Sequence, residues 1–159
     1  MTTRNSDLVA NLEASPQVAN KAQELQGVVR IAQGNVALLA GDSTNGDIVM
    51  LAPVPSNATI MSLRVGTDAL GGSCTYDVGI YTDAGAVKDI DFFATSVADG
   101  AAVAELRYEA ANLNTTGQQL YTMAGDSTDP GGFYYIAATF DATGGTAGDM
   151  AFIIEYVVN

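Results

Sequence analysis

Ser73-Cys74-Thr75-Tyr76-Asp77-Val78-Gly79-Ile80-Tyr81 is the stretch that decides the fold class. Cys74, Tyr76, Val78 and Ile80 alternate with Ser73, Thr75, Asp77 and Gly79, the period of two that gives a strand one apolar and one polar face. Thr59–Val65 alternates in the same way, placing Met61, Leu63 and Val65 on one face and Ile60, Ser62 and Arg64 on the other. Outward from these two, Val28–Ala32, Val36–Ala40, Ile48–Ala52, Gln119–Met123, Phe133–Phe140 and Met150–Val158 are short runs rich in β-branched or aromatic residues. The spans between them hold Asn-Gly, Gly-Gly and Asp-Pro-Gly-Gly, which are turn chemistry. Pro53 and Pro55 are read as stopping the third run.

Two segments read differently. Asp89-Ile90-Asp91-Phe92-Phe93 resembles a helical turn that Asp91 caps. Residues 101–113 place Val103, Leu106 and Ala110 at helical spacing, although Val103, Glu105, Arg107 and Glu109 would equally share one side of a strand. Ala, Glu, Leu and Arg favour the helix. The sum is an all-β protein, a β-sandwich of jelly-roll type rather than a closed barrel, with an extended N-terminal arm and one or two short helices.

Composition narrows the chemistry. The chain has 159 residues, room for one domain with a proper core, and is 48% hydrophobic with 15% charged residues. It has no His and no Trp and a single Cys, so an imidazole base, a His metal ligand and an intrachain disulfide are all excluded. The formal net charge of −12 opposes binding to nucleic acid. No run is long and apolar enough for a membrane helix, and the N-terminus lacks the apolar core of a secretory signal. The expectation is a soluble protein made in the cytoplasm, binding neither nucleic acid nor membrane.

The charge is unevenly placed. Residues 1–30 are neutral, with Arg4, Lys21 and Arg30 against Asp7, Glu13 and Glu24, whereas the remaining residues carry the whole excess. The chain therefore divides into an N-terminal arm, residues 1–26, and a β-sandwich domain, residues 27–159. Leu8, Val9 and Leu12 would form one apolar helical turn, and Val18 to Leu25 another, each too small to stand alone in water. The arm is either a frayed terminus or a segment that orders against a partner. On the second reading the partner-binding residues are Arg4, Leu8, Val9, Leu12, Val18, Leu25 and Arg30.

No catalytic set assembles. Ala40-Gly41-Asp42-Ser43-Thr44 recurs as Ala124-Gly125-Asp126-Ser127-Thr128, and Asp42 with Asp47, or Asp126 with Asp129, offers carboxylates that Ca²⁺ would use. The alternating spacing of an EF-hand loop is absent, and strand-end turns explain the same residues. Asp83, Asp89 and Asp91 lie along one loop without a defined cleft between two acids. Ser73 and Ser96 have no His to activate them. Cys74 lies on an apolar face and reads as packed, while Phe133, Tyr134, Tyr135, Phe152 and Tyr156 fill the core or a subunit interface. The expectation is a non-enzyme without cofactor or metal.

A family resemblance runs through residues 1–95. It is carried by Met1-Thr2-Thr3 with Asn5-Ser6, Gly27-Val28-Val29-Arg30-Ile31-Ala32, Ala40-Gly41-Asp42, Ile48-Val49-Met50, and Pro55 before Ala58–Val65. Gly71-Gly72-Ser73 leading into Tyr76-Asp77-Val78-Gly79-Ile80-Tyr81, then Asp89-Ile90-Asp91-Phe92-Phe93, completes it. In these features the chain resembles small virion structural proteins of tailed bacteriophages, the head decoration or cement proteins. The resemblance implies a structural protein without an active site, often a homotrimer, that binds the major capsid protein on the capsid exterior. Two other roles stay open, a head–tail connector or tail-associated virion protein and a β-sandwich glycan-binding module using Tyr81 and Tyr121.

Overall fold

The computed structural model describes residues 9–11, 14–19, 27–100, 103–108 and 110–158. Among these residues eight strands form two antiparallel four-stranded sheets. They are β1 (Val29–Leu38), β2 (Ile48–Pro55), β3 (Ala58–Thr67), β4 (Thr75–Tyr81), β5 (Val87–Ala98), β6 (Ala104–Glu105), β7 (Phe133–Ala142) and β8 (Gly148–Val158). One sheet runs β1-β8-β3-β6 and the other β2-β7-β4-β5. Each strand of the first half thus pairs with one of the second: β1 with β8, β2 with β7, β3 with β6, β4 with β5. A 3-10 helix (Ala110–Thr115) and a short α-helix, α1 (Leu120–Met123), lie between β6 and β7. The all-β sandwich expected from the sequence is what the chain forms.

The core lies between the sheets. Tyr76, Val78 and Ile80 of β4, Ile136 and Phe140 of β7 and Ile154 of β8 are buried there, and the Tyr76 ring meets Phe140 edge-on at 6.1 Å. Cys74 is packed as expected, its Sγ 3.2 Å from the Ala142 carbonyl.

Several elements depart from the sequence reading, each for a tertiary reason. Val28–Ala32 and Val36–Ala40 are not two strands; β1 is continuous through Gln33-Gly34-Asn35 because β8 pairs with it along its whole length. Gly34 faces Phe152, whose ring fills the space a side chain would take, a Cβ there lying 3.1 Å from the ring. β2 continues through Pro53 and Pro55 because it is an edge strand, where a missing N–H on the open side breaks no ladder bond. A bulge between Ile60 and Ser62 turns Ile60 inward and leaves Met61 39% exposed, reversing the face expected for both.

Asp89–Phe93 is not a helical turn but part of β5. Its partner β4 advances only from Ile80 to Val78 while β5 runs from Asp89 to Ala94. Gly79 admits the bulging chain, since a Cβ there would lie 2.1 Å from the Asp89 carbonyl oxygen. Gln119–Met123 is not a strand: Leu120 and Met123 are one helical turn apart, both face the core, and the amide of Ala124 closes the turn on Leu120. The helix expected within residues 101–113 is replaced by β6 and the 3-10 helix, residues 101, 102 and 109 lying outside the described set.

Candidate interaction surface

Of the residues the sequence singled out for partner binding, Arg4, Leu8, Leu12 and Leu25 lie outside the described residues. Val9 belongs to a helical turn, Val9–Asn11, to which the amide of Val18 returns by a 3.0 Å bond to the Asn11 carbonyl. Val9 and Val18 are both exposed. Arg30 is exposed on β1. The structure therefore joins Val18 to the end of the turn that holds Val9.

Arg30 differs from the other described cations. Arg64 is bonded to Glu155 at 2.6 Å and Lys88 to Asp126 at 2.7 Å. Arg107 is buried, its Nε donating to the Ile60 carbonyl at 3.0 Å and its two terminal nitrogens to Thr115 at 3.0 and 2.9 Å. The guanidinium also faces the rings of Tyr108 and Phe93. Desolvation lowers its pKa, against the opposing pull of Tyr108 and Glu105. Among the described residues Arg30 has no such partner.

The carboxylates are largely occupied by local bonds. Asp42 accepts from the amide of Leu39 and Asp47 from that of Thr44, closing the turn after β1. Asp126 is held below the usual carboxylate range by bonds from Lys88 and Tyr134, and Asp129 by bonds from Ser56 and the amide of Gly131. Among the described residues no three potential ligands group to hold a metal ion. Partial burial of Asp141 works against its charge, but bonds from Ser96 and Thr75 leave its pKa lowered.

Candidate catalytic groups are dispersed or packed. Asp89 is raised by burial and by its hydrogen bond with Asp91, while Asp83 is exposed in the β4–β5 turn. Ser96 adopts a positive φ of 50° at the β5 bulge, its amide bonded to Asp77 at 2.8 Å and its hydroxyl to Asp141 at 2.6 Å. Those bonds hold the strained backbone and occupy the hydroxyl. Burial pushes the Cys74 thiol up, aided by Asp99 and Asp141, and the Tyr76 phenol to about 12. Tyr81, a candidate sugar platform, is fully buried and bonded to Thr139, and Tyr121 packs partly against the core.

Among the described residues, one exposed apolar patch is one the sequence did not single out. Val28, Val29 and Ile31 are 79%, 52% and 59% exposed around the start of β1. The sequence marks Val28–Ala32 only as a short β-rich run, without saying which of its residues are exposed. The useful signal is charge: residues 27–41 contain Arg30 and no acid, in a chain of net charge −12. Beside the far end of β1, Val36, Leu38, Ile48, Val49 and Met50 line an open cleft of about 380 Å³, with Asp42 and Asp47 at its rim.

No protein-family model and no curated protein matches the chain. Solved structures do. A chain in the capsid of Ralstonia phage GP4 superimposes with a TM-score of 0.62 at 18% identity, over 84% of this chain and 86% of that one. A chain in the capsid asymmetric unit of cyanophage Pam1 superimposes with a TM-score of 0.58 at 16% identity, over 100% of both. At these identities the likeness is one of fold.

Proposed function

We propose that this protein is a structural component of a bacteriophage virion that binds the outer surface of the head, contacts the major capsid protein and stabilises the shell. The observation that carries this is the end-to-end likeness to a chain in a phage capsid, 100% of each chain being covered. The strand pairing adds support: β1·β8 with β3·β6 in one sheet and β2·β7 with β4·β5 in the other is the pattern of a long hairpin rolled into a jelly roll, an architecture common in viral capsid domains. In this reading the protein works without catalysis, as a homotrimer, with the arm of residues 1–26 adding contact area. The acidic body limits sticking to nucleic acid and to other particles.

The test uses heads of the cognate phage assembled without this protein. Purified full-length protein should bind them saturably, appear as density on the exterior, and raise the temperature at which the heads open. Binding to tails or connectors instead would move it to another virion site, and selective binding to a glycan array would replace the structural reading.

A further inference from the structure

An open sheet edge exposes a row of main-chain donors and acceptors, and folded proteins usually blunt such edges. Three of the four edges here are blunted. β2 carries Pro53, Pro55 and a bulge between Met50 and Ala52. β5 carries repeated register shifts and the charges of Lys88, Asp89 and Asp91. β6 is two residues long and is backed by the buried Arg107. β1 has no register shift and only one charged residue, Arg30. It is ten residues long, holds an unbroken register with β8, contains no proline, and has β8 as its one hydrogen-bonded neighbour among the described residues.

We propose that the edge of β1 left unpaired among the described residues receives an extended segment of a neighbouring shell subunit as an added antiparallel or parallel strand, with a carboxylate of that segment against Arg30. Main-chain bonds along β1 supply affinity in this mode, and alternate side chains supply specificity. Val29 and Ile31 present exposed apolar surface to one face of the added strand, and the cleft beside Leu38 and Val49 opens next to its far end. Charge selects the occupant. β1 itself offers one cation without a described partner and no acid, so an acidic segment suits its Arg30 end, away from Asp42 and Asp47 at the cleft. A second copy of this chain is disfavoured, because its β1 would bring another Arg30, with a strongly acidic body behind it.

This inference rests on the capsid-exterior reading, and one experiment separates their failures. Heads assembled from the cognate capsid protein are titrated with the full-length protein and with Arg30→Glu, Arg30→Lys and Ile31→Asp. Amide exchange in β1 is followed in free and bound protein. Binding should slow exchange at the alternate β1 amides that point away from β8. Arg30→Glu and Ile31→Asp should each weaken binding about tenfold, and Arg30→Lys should bind within about threefold of the parent. All three variants should melt with the parent, since both positions are exposed. Unchanged β1 exchange with equal binding by every variant would overturn the edge while leaving the exterior reading intact. Protection of β1 that grows with protein concentration alone, together with a mass rising to that of a dimer or trimer, would assign the edge to another copy of this chain and overturn the proposal. Failure of the parent to bind heads would overturn both.

Discussion

The two lateral sides of the sandwich solve the same problem in opposite ways. On the β6 side, a two-residue strand is finished by polar side chains: Glu105 accepts from the amide of Leu63 at 2.8 Å, from Ser62 and from the amide of Arg107, and Arg107 closes onto Ile60 and Thr115. The amides of Leu63, Leu106 and Arg107 and the carbonyls of Ile60 and Leu63 there are bonded within the chain. On the β1 side a full-length strand ends the sheet, with β8 its one hydrogen-bonded strand neighbour among the described residues. The difference separates stability from binding. Losses on the closed side should appear as unfolding, and changes on the open side as altered association.

The largest effect should come from breaking the closed side. Arg107→Ala removes the guanidinium bonds to Ile60 and Thr115 and opens a cavity beside Phe93, so urea unfolding should show a loss of about 4 kcal/mol. Next is Gly79→Ala, which forces β4 and β5 apart at the Asp89 carbonyl. A loss of about 3 kcal/mol is expected, in the upper range for overpacking.

A smaller, pH-dependent gain is expected from Asp89→Asn. Burial and the Asp91 bond raise the Asp89 pKa in the folded state, so its ionisation opposes folding. The substitution should therefore stabilise at neutral pH, by less than about 0.5 kcal/mol after solvent screening. That gain should fade as pH falls through the raised pKa to below the unfolded value, where Asp89 is protonated in both states. Melting the pair of proteins between neutral and acid pH reads this directly. The smallest effect belongs to the open side: Ile31→Lys at a 59% exposed position should change stability by no more than about 0.5 kcal/mol. A larger loss would mean that β1 is already covered and would erase the contrast between the sides.

Much of the fold was legible wherever a strand kept strict alternation with one partner face. Cys74, Tyr76, Val78 and Ile80 are buried as their spacing required. Bulges defeat that rule, because one extra residue exchanges the faces, as at Ile60 and Met61. The interaction surface was legible only in Arg30, Val9 and Val18 as exposed candidates; nothing local marked the open edge of β1, since openness is the absence of a neighbour that only the assembled sheets define.

By itself the sequence determined the all-β class, the acidic body and the exclusion of His-based chemistry. These follow from residue types and short-range period, which need no knowledge of partners. Tertiary structure alone decided that β1 runs unbroken past Gly34, that β2 tolerates two prolines, that residues 119–123 coil into a helical turn, and that Arg107 is interior. The physical reason is common to all four. Each depends on what lies opposite: the Phe152 ring, an edge with one paired side, the amide partners around Ser56 and Leu120, and the Ile60 carbonyl that the Arg107 guanidinium reaches.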